Sequence, residues 1–122
     1  SPSAVEVGVY VRDNTEEHST FLTGVHHLNP VASIAGREIV CGPDLWLYYH
    51  GLNTTERKVD IANFYANPVD NQSVLEKYDV EYILVSSYER TDYHVDKAGL
   101  ESIADVVFSN WEGTIYKVKE GD

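Results

Sequence analysis

Short apolar runs separated by polar segments dominate this sequence, and several of them have the length of a β-strand. The run Val80–Ser86 (VEYILVS) is the clearest, because an uninterrupted apolar centre is typical of a parallel strand covered on both faces. Shorter runs predict strands over residues 20–23 and 37–41. Near the end of the chain, runs at Ala104–Ser109 and residues 114–119 flank Asn-Trp-Glu-Gly and predict an antiparallel hairpin, whose lysines suit a sheet edge.

Helical patterns lie between these strands. They span residues 29–35, 53–65, 70–78 and 97–103. Pro30 and Gly36 have the positions expected at the start and the stop of the first helix. The second helix is predicted to turn Val59, Ala62 and Tyr65 towards the core.

Residues 3–14 are ambiguous. Valine occupies every second position from Val5 to Val11, which indicates a half-buried strand. Ser3 and Glu6 instead form a capping box, which predicts the start of a helix. The residues of this segment alone leave both structures open.

The order of these elements predicts an α/β fold. We expect a three-layer, Rossmann-like sandwich with a mostly parallel sheet of about five strands and a C-terminal antiparallel hairpin. A chain of 122 residues is long enough for one such domain with its own core.

Composition and charge exclude some classes of partner. With 20 acidic and 9 basic residues the net charge is -11, which argues against binding to nucleic acid or to anionic lipid. Cys41 is the single cysteine and ends an apolar run, so we expect a buried thiol and no internal disulfide. No uncharged run is long enough to span a membrane. Because the sequence has no methionine, even at its start, we expect a chain that is processed or is cut from a longer protein.

Polar and aromatic side chains follow each of the three predicted parallel strands. Because the carboxyl ends of such strands meet at one edge, where α/β folds bind ligands, we expect these side chains to share a pocket. The predicted ligand-binding residues are His27, Asn29, Trp46, His50, Glu89 and Arg90, with His26 beside them.

The residue types leave the chemistry of this pocket open. Trp46 and the tyrosines that follow it have apolar faces and hydrogen-bonding edges, which suit sugar rings, although the same run also fits a short helix buried in the core. His26 or His27 together with Glu89 fits acid–base or metal-dependent hydrolysis. The spacing matches no known metal motif, and the sequence has no nucleophile elbow and no phosphate-binding loop. We therefore predict no metal site and no cofactor, and we assign no catalytic residue.

The order of several short motifs resembles one known class of domain. These motifs are TG-x-x-H-x-NP from Thr23, AGR-x-I-x-x-G from Ala35, W-x-x-x-HGL from Trp46, the pair Glu56 and Arg57, and V-x-Y-x-x-V-x-x-YER from Val80. Together they resemble the soluble, extracytoplasmic C-terminal domain of multi-pass bacterial and archaeal membrane proteins. Those proteins are related to polyprenyl-phosphate-sugar-dependent glycosyltransferases of the mannosyltransferase type. The likeness covers residues 4–118.

The resemblance implies a single domain over residues 1–122 that hangs from the last transmembrane helix on the outer side of the membrane. The opening segment of such domains is usually helical, which favours a helix over residues 3–14. Their catalytic carboxylates usually lie in the membrane part, so this domain is expected to be a non-catalytic accessory domain. Its expected partners are the membrane part of the same polypeptide and a glycan or polyprenyl-linked sugar.

Two other functions stay open from the residues alone. One is a small hydrolase or metal-dependent enzyme that uses His26 or His27 with Glu89. The other is a purely structural docking module, whose polar edge is a contact surface.

Overall fold

The computed structural model describes residues 1–26, 29–42 and 54–120, with every side chain in these ranges except that of Ser33. The described elements are, in chain order, α1 (Pro2–Asn14), β1 (Thr20–Leu22), α2 (Pro30–Ser33), β2 (Glu38–Ile39), α3 (Thr54–Ala66), α4 (Ser73–Lys77), β3 (Val80–Ser86), α5 (Ser87–Asp92), α6 (Lys97–Ile103), β4 (Ala104–Ser109) and β5 (Gly113–Val118). None of the described helices has the length and the apolar character needed to cross a membrane.

The strands of the described chain form one mixed sheet in the order β2-β1-β3-β5-β4. Strand β1 pairs in parallel with both β2 and β3. Strand β5 is antiparallel to β3 on one side and to β4 on the other. Four strands therefore run in one direction, β5 runs in the other, and the predicted α/β fold is confirmed.

The core lies on both faces of this sheet. On one face, side chains of β3 pack against α3, α4 and α6, as in the cluster that includes Ile83, Phe64 and Leu100. On the other face, α1 and α2 cover β1 and β3, as in the cluster of Val7, Val31 and Leu84. The result is the expected sandwich of helix, sheet and helix.

The first segment is helical, as the resemblance implied. Ser1 is the N-cap, because its hydroxyl oxygen accepts a hydrogen bond from the backbone N–H of Ala4 at 3.3 Å. Val7 and Val11 are fully buried while Val5 is 50% exposed, which is a helical spacing of buried positions and not an alternating one. The cap is thus two residues earlier than the predicted Ser3.

The predicted inward face of α3 is wrong in part. Ile61, Phe64 and Tyr65 are buried, whereas Val59 is 52% exposed and Ala62 is also exposed. The buried residues lie three positions apart and then one position apart along the helix, which places the larger aromatic and aliphatic side chains against the sheet. Size and not hydrophobicity alone decides which side of this helix is buried.

Two further features differ from the sequence prediction. Helix α5, which is not among the predicted helices, begins directly after β3 without an intervening residue. The sheet edge at the C-terminal side is β4, so Lys117 lies on the interior strand β5, and Lys119 follows the end of that strand. Cys41 is a buried thiol, as predicted.

Candidate functional site

The turn from β3 into α5 fixes the position of Glu89. Ser86 ends β3 and is also the N-cap of α5, where its hydroxyl oxygen accepts from the N–H of Tyr88 at 3.3 Å. In return, Glu89 Oε1 accepts from the Ser86 N–H at 2.7 Å and from the Ser86 hydroxyl. This reciprocal arrangement is a capping box, which satisfies N–H groups that the first turn of a helix otherwise leaves unpaired.

The same carboxylate also binds the end of the neighbouring strand β1. Glu89 Oε2 accepts from the backbone N–H of Gly24 at 2.8 Å, and His26 Nε2 lies 3.4 Å from it. Glu89 has no exposed surface. One buried carboxylate therefore joins the trailing segments of two parallel strands, and we call residues 23–26 and 86–90 the carboxyl rim.

The charge of Glu89 is stabilised in this buried position. Burial alone would raise the pKa of the carboxyl group, but His26, the hydroxyl and N–H of Ser86 and the N–H of Gly24 outweigh it and hold the pKa below its usual range. Hydrogen bonds to the charged form and close polar contacts with it both have this effect. The carboxylate is consequently ionised at neutral pH and has its acceptor positions directed at protein groups.

An aromatic pair covers the carboxylate. The rings of His26 and Tyr88 stack with centroids 4.0 Å apart and planes inclined by 20°. The Tyr88 hydroxyl donates to the carbonyl of Val25 at 2.7 Å, and desolvation together with Asp92 raises the pKa of Tyr88 to about 12. At 3.4 Å the contact from His26 to Glu89 has the distance of an ion pair but not of an aligned hydrogen bond. Among the residues that the structure describes, the buried Nε2 has no hydrogen-bond partner.

Gly24 lies where only a glycine fits without a shift of its neighbours. A Cβ atom at this position would lie 2.9 Å from Glu89 Oε2 and 2.9 Å from the Tyr88 ring. Contacts this short are essentially absent between real Cβ atoms and their neighbours. The close approach of backbone and carboxylate thus depends on the missing side chain.

Asn29 contacts the rim through Thr23 and has almost no exposed surface. Its side-chain oxygen caps α2 by accepting from the Val31 N–H at 2.9 Å, and its amide donates to the Thr23 hydroxyl at 2.6 Å. The Thr23 hydroxyl in turn donates to the Gly24 carbonyl at 3.0 Å. Asn29 therefore links the start of α2 to the residue that follows β1.

Arg90 points away from Glu89. Its guanidinium lies 3.4 Å from the carbonyl oxygen of Val85 and 3.4 Å from that of Glu112, on the side of the C-terminal hairpin. Glu89 faces β1 on the other side of β3. The structure therefore separates the two neighbours that the sequence placed in one pocket.

The remaining predicted site residues are His27, Trp46 and His50, and all three lie outside the described residues. Within the part of the chain that is described, the structure brings His26 and Glu89 together and links Asn29 to them through Thr23 and Gly24.

The sequence interpretation missed some residues of the rim. Tyr88 and Gly24 were recognised only as parts of short motifs, the YER and TG motifs of the resemblance, and neither was assigned to the site. Ser86 did have a signal, because Ser86-x-x-Glu89 is itself a capping-box pattern.

The arrangement is better suited to holding a surface in place than to proton transfer. A general acid or base needs a lone pair or proton that substrate can reach, and Glu89 is fully buried with its oxygens occupied. Over residues 1–26, 29–42 and 54–120, no group of three His, Cys, Asp or Glu side chains is placed to hold a metal ion. Within the rim, Ser87 and Arg90 are exposed, and Val25, His26 and Tyr88 are partly exposed.

Comparison with known proteins adds a likeness of fold. One solved structure, the C-terminal globular domain of an oligosaccharyltransferase from Archaeoglobus fulgidus, aligns with a TM-score of 0.64 over 93% of this chain and 95% of that chain. The two share this fold. Their sequence identity is 14%, so the likeness concerns the fold alone. No protein-family model matches the sequence, and no curated protein matches it.

Proposed function

We propose that this chain is a non-catalytic accessory domain of a membrane-embedded, glycosyltransferase-like protein, on the extracytoplasmic side of the membrane. The observation that carries this proposal is the alignment with the oligosaccharyltransferase domain, which extends over nearly the whole of both chains. It agrees with the resemblance of the motif order to the C-terminal domains of such membrane proteins. In this role the membrane part of the same polypeptide supplies the catalytic groups.

The carboxyl rim is the surface that we assign to recognition of a glycan or polyprenyl-linked sugar. His26 and Tyr88 form a stacked, partly exposed aromatic pair, and rings of this kind offer a flat face together with hydrogen-bonding atoms. Glu89 acts as a positioning residue, because it orders both segments without being accessible. The predicted residues Trp46 and His50 follow β2, whose carboxyl end lies at the same edge of the sheet.

Two measurements test the proposal. The coding sequence upstream of Ser1 is expected to encode several hydrophobic spans, and a gene without them would remove the membrane assignment. Calorimetric titration with farnesyl phosphate and a panel of soluble oligosaccharides tests recognition, comparing wild type with His26→Ala, Trp46→Ala and His50→Ala. His18→Ala is the matched control, because His18 is exposed near the opposite end of the sheet.

We expect binding by wild type and by His18→Ala, with a loss of at least about tenfold in affinity in the His26, Trp46 and His50 variants, which corresponds to about 1.4 kcal/mol. Binding that His26→Ala retains in full would exclude the rim as the recognition surface, and binding that all three variants retain would exclude the whole predicted pocket. Thermal unfolding of each variant separates loss of binding from loss of fold.

The contact between His26 and Glu89 favours a second candidate, a small hydrolase or metal-dependent enzyme. In this alternative His27, adjacent in sequence, would add a ligand. Calorimetric titration of the chain with zinc or nickel tests whether it binds a metal ion. Absence of heat would dismiss a metal role, whereas stoichiometric binding that is lost in His26→Ala would favour the enzyme.

A further inference from the structure

The tip of the C-terminal hairpin lies at the same end of the domain as the carboxyl rim. Gly113 begins β5 opposite Ser86, the last residue of β3. The side-chain amide of Asn110 donates to the carbonyl oxygen of Ser3 at 2.9 Å, so the tip is bound to the first turn of α1. The start of α1, the hairpin tip and the rim therefore form one end of the molecule.

Trp111 projects from this end. It is 94% exposed, far more than the other exposed large apolar side chains of the described residues. The turn that carries it is held firmly, because Asn110 Oδ1 accepts from the N–H groups of Glu112 at 2.9 Å and Gly113 at 3.0 Å. The backbone N–H of Asn110 also donates to the Gly113 carbonyl at 2.9 Å. A large indole is thus fixed in solvent without contributing to the core.

Among the described residues, this end differs from the opposite one in its exposed carboxylates. The first turn of α1 contains no acidic residue, and the carboxylates beside the hairpin tip and the rim are the partly exposed Glu112 and the exposed Asp92. At the other end, exposed carboxylates lie in the loop after α1 and at the starts of β2 and β3. They are Glu16, Glu17, Glu38, Asp79 and Glu81. With a net charge of -11 on the chain, the end that carries Trp111 is the one that approaches a membrane surface with less repulsion from acidic lipids.

We propose that Trp111 rests in the lipid–water interface and that the carboxyl rim thereby faces the membrane. The proposal rests on the proposed function, in which a membrane part precedes Ser1 and holds the start of α1 close to the bilayer. Tryptophan is enriched at this interface because its ring is apolar while its N–H forms a hydrogen bond. A recognition surface at this end would meet a lipid-linked sugar where its head group leaves the membrane.

The test uses the chain tethered to vesicles in two orientations. A histidine tag before Ser1 or after Asp122 attaches it to phosphatidylcholine vesicles that contain a nickel-chelating lipid and brominated acyl chains, which quench tryptophan on contact. The C-terminal tether is the matched control, because β5 runs from the hairpin tip to Val118 at the opposite end of the sheet. In each orientation, subtracting the tryptophan emission of Trp111→Phe from that of wild type gives the emission of Trp111 without that of Trp46.

With the N-terminal tether we expect brominated lipid to remove about half or more of the Trp111 emission, and with the C-terminal tether we expect little change. Equal emission loss in both orientations, or none in either, would overturn the proposal. Loss of oligosaccharide binding in Trp111→Phe without lipid quenching would also overturn it, since Trp111 would then contact the glycan. Retained oligosaccharide binding without quenching would refute the orientation while leaving the proposed function intact.

Discussion

Replacing Glu89 by glutamine tests whether the buried carboxylate holds the carboxyl rim together. The substitution keeps the size of the side chain and removes its charge. Glutamine has one accepting oxygen and one donating NH2 group, whereas Glu89 accepts from Ser86 through Oε1 and from Gly24 through Oε2. Whichever way the amide is turned, its NH2 group meets a backbone N–H, and one buried donor is left without a partner.

The size of the effect follows from these contacts. A buried N–H without an acceptor costs about 1–3 kcal/mol, and hydrogen bonds to a charged group are worth about 1.5–3 kcal/mol each. Relief of the desolvation of the charge offsets part of this loss. We therefore expect Glu89→Gln to lower the free energy of unfolding by about 2–4 kcal/mol, which leaves a domain of ordinary stability folded.

Urea unfolding at neutral pH, followed by circular dichroism, measures this loss. With a denaturant slope of about 1.5 kcal/mol per molar, a loss of 3 kcal/mol shifts the midpoint by about 2 M. Glu112→Gln is the matched control, because the Glu112 carboxylate accepts a hydrogen bond from the Ser87 hydroxyl at 2.9 Å at the surface. This substitution should change the free energy of unfolding by no more than about 0.5 kcal/mol. Equal midpoints for Glu89→Gln and Glu112→Gln would refute the structural role assigned to the buried carboxylate.

Three further predictions concern the same region. The pKa of Glu89 is lower in the folded than in the unfolded chain, so its contribution to the free energy of unfolding is present above the unfolded pKa of about 4.3 and is lost as the pH falls through the folded pKa. The difference in stability between wild type and Glu89→Gln should therefore shrink below about pH 4, and a difference that stays constant in acid would contradict this. Gly24→Ala should lower the free energy of unfolding in urea by about 1–3 kcal/mol. Gly42→Ala, whose Cβ atom would have its nearest neighbour 3.7 Å away, should lower it by less than about 1 kcal/mol, and the reverse order would count against the close approach at Gly24. Tyr65→Phe should cost about 1–2 kcal/mol, since the buried hydroxyl donates to the Leu84 carbonyl at 2.6 Å, and unchanged thermal unfolding would show that this bond contributes nothing.

The elements with strong local patterns could be predicted from the sequence. Val80–Ser86 has the predicted bounds, because a continuous apolar run of this length is typical of a strand covered on both faces. The C-terminal hairpin also forms as predicted, with β5 one residue earlier at each end. For α1 the pattern of valines was insufficient, and the resemblance to a known class of domain supplied the helix.

The contacts across the sheet could not be predicted from local patterns. Glu89 bonds to Gly24, which is 65 residues away in the sequence, and only the parallel pairing of β1 with β3 brings them together. The capping box from Ser86 to Glu89 was visible, yet Glu89 and Arg90 were interpreted as a pair of ligand-binding residues. Helix α5 begins there, and because successive residues of a helix point in different directions, Glu89 faces β1 while Arg90 faces the C-terminal hairpin. Their role in ligand binding stays a prediction.

The most direct test of the recognition surface is a titration of the isotope-labelled chain with farnesyl phosphate and soluble oligosaccharides, observed through backbone amide chemical shifts. Our account predicts that the amides of Gly24, His26 and Tyr88 shift in a saturable manner, while those of Glu38 and Asp79 at the opposite end of the sheet stay unchanged. Shifts confined to the opposite end, or no saturable shift in the carboxyl rim with any of these ligands, would contradict it.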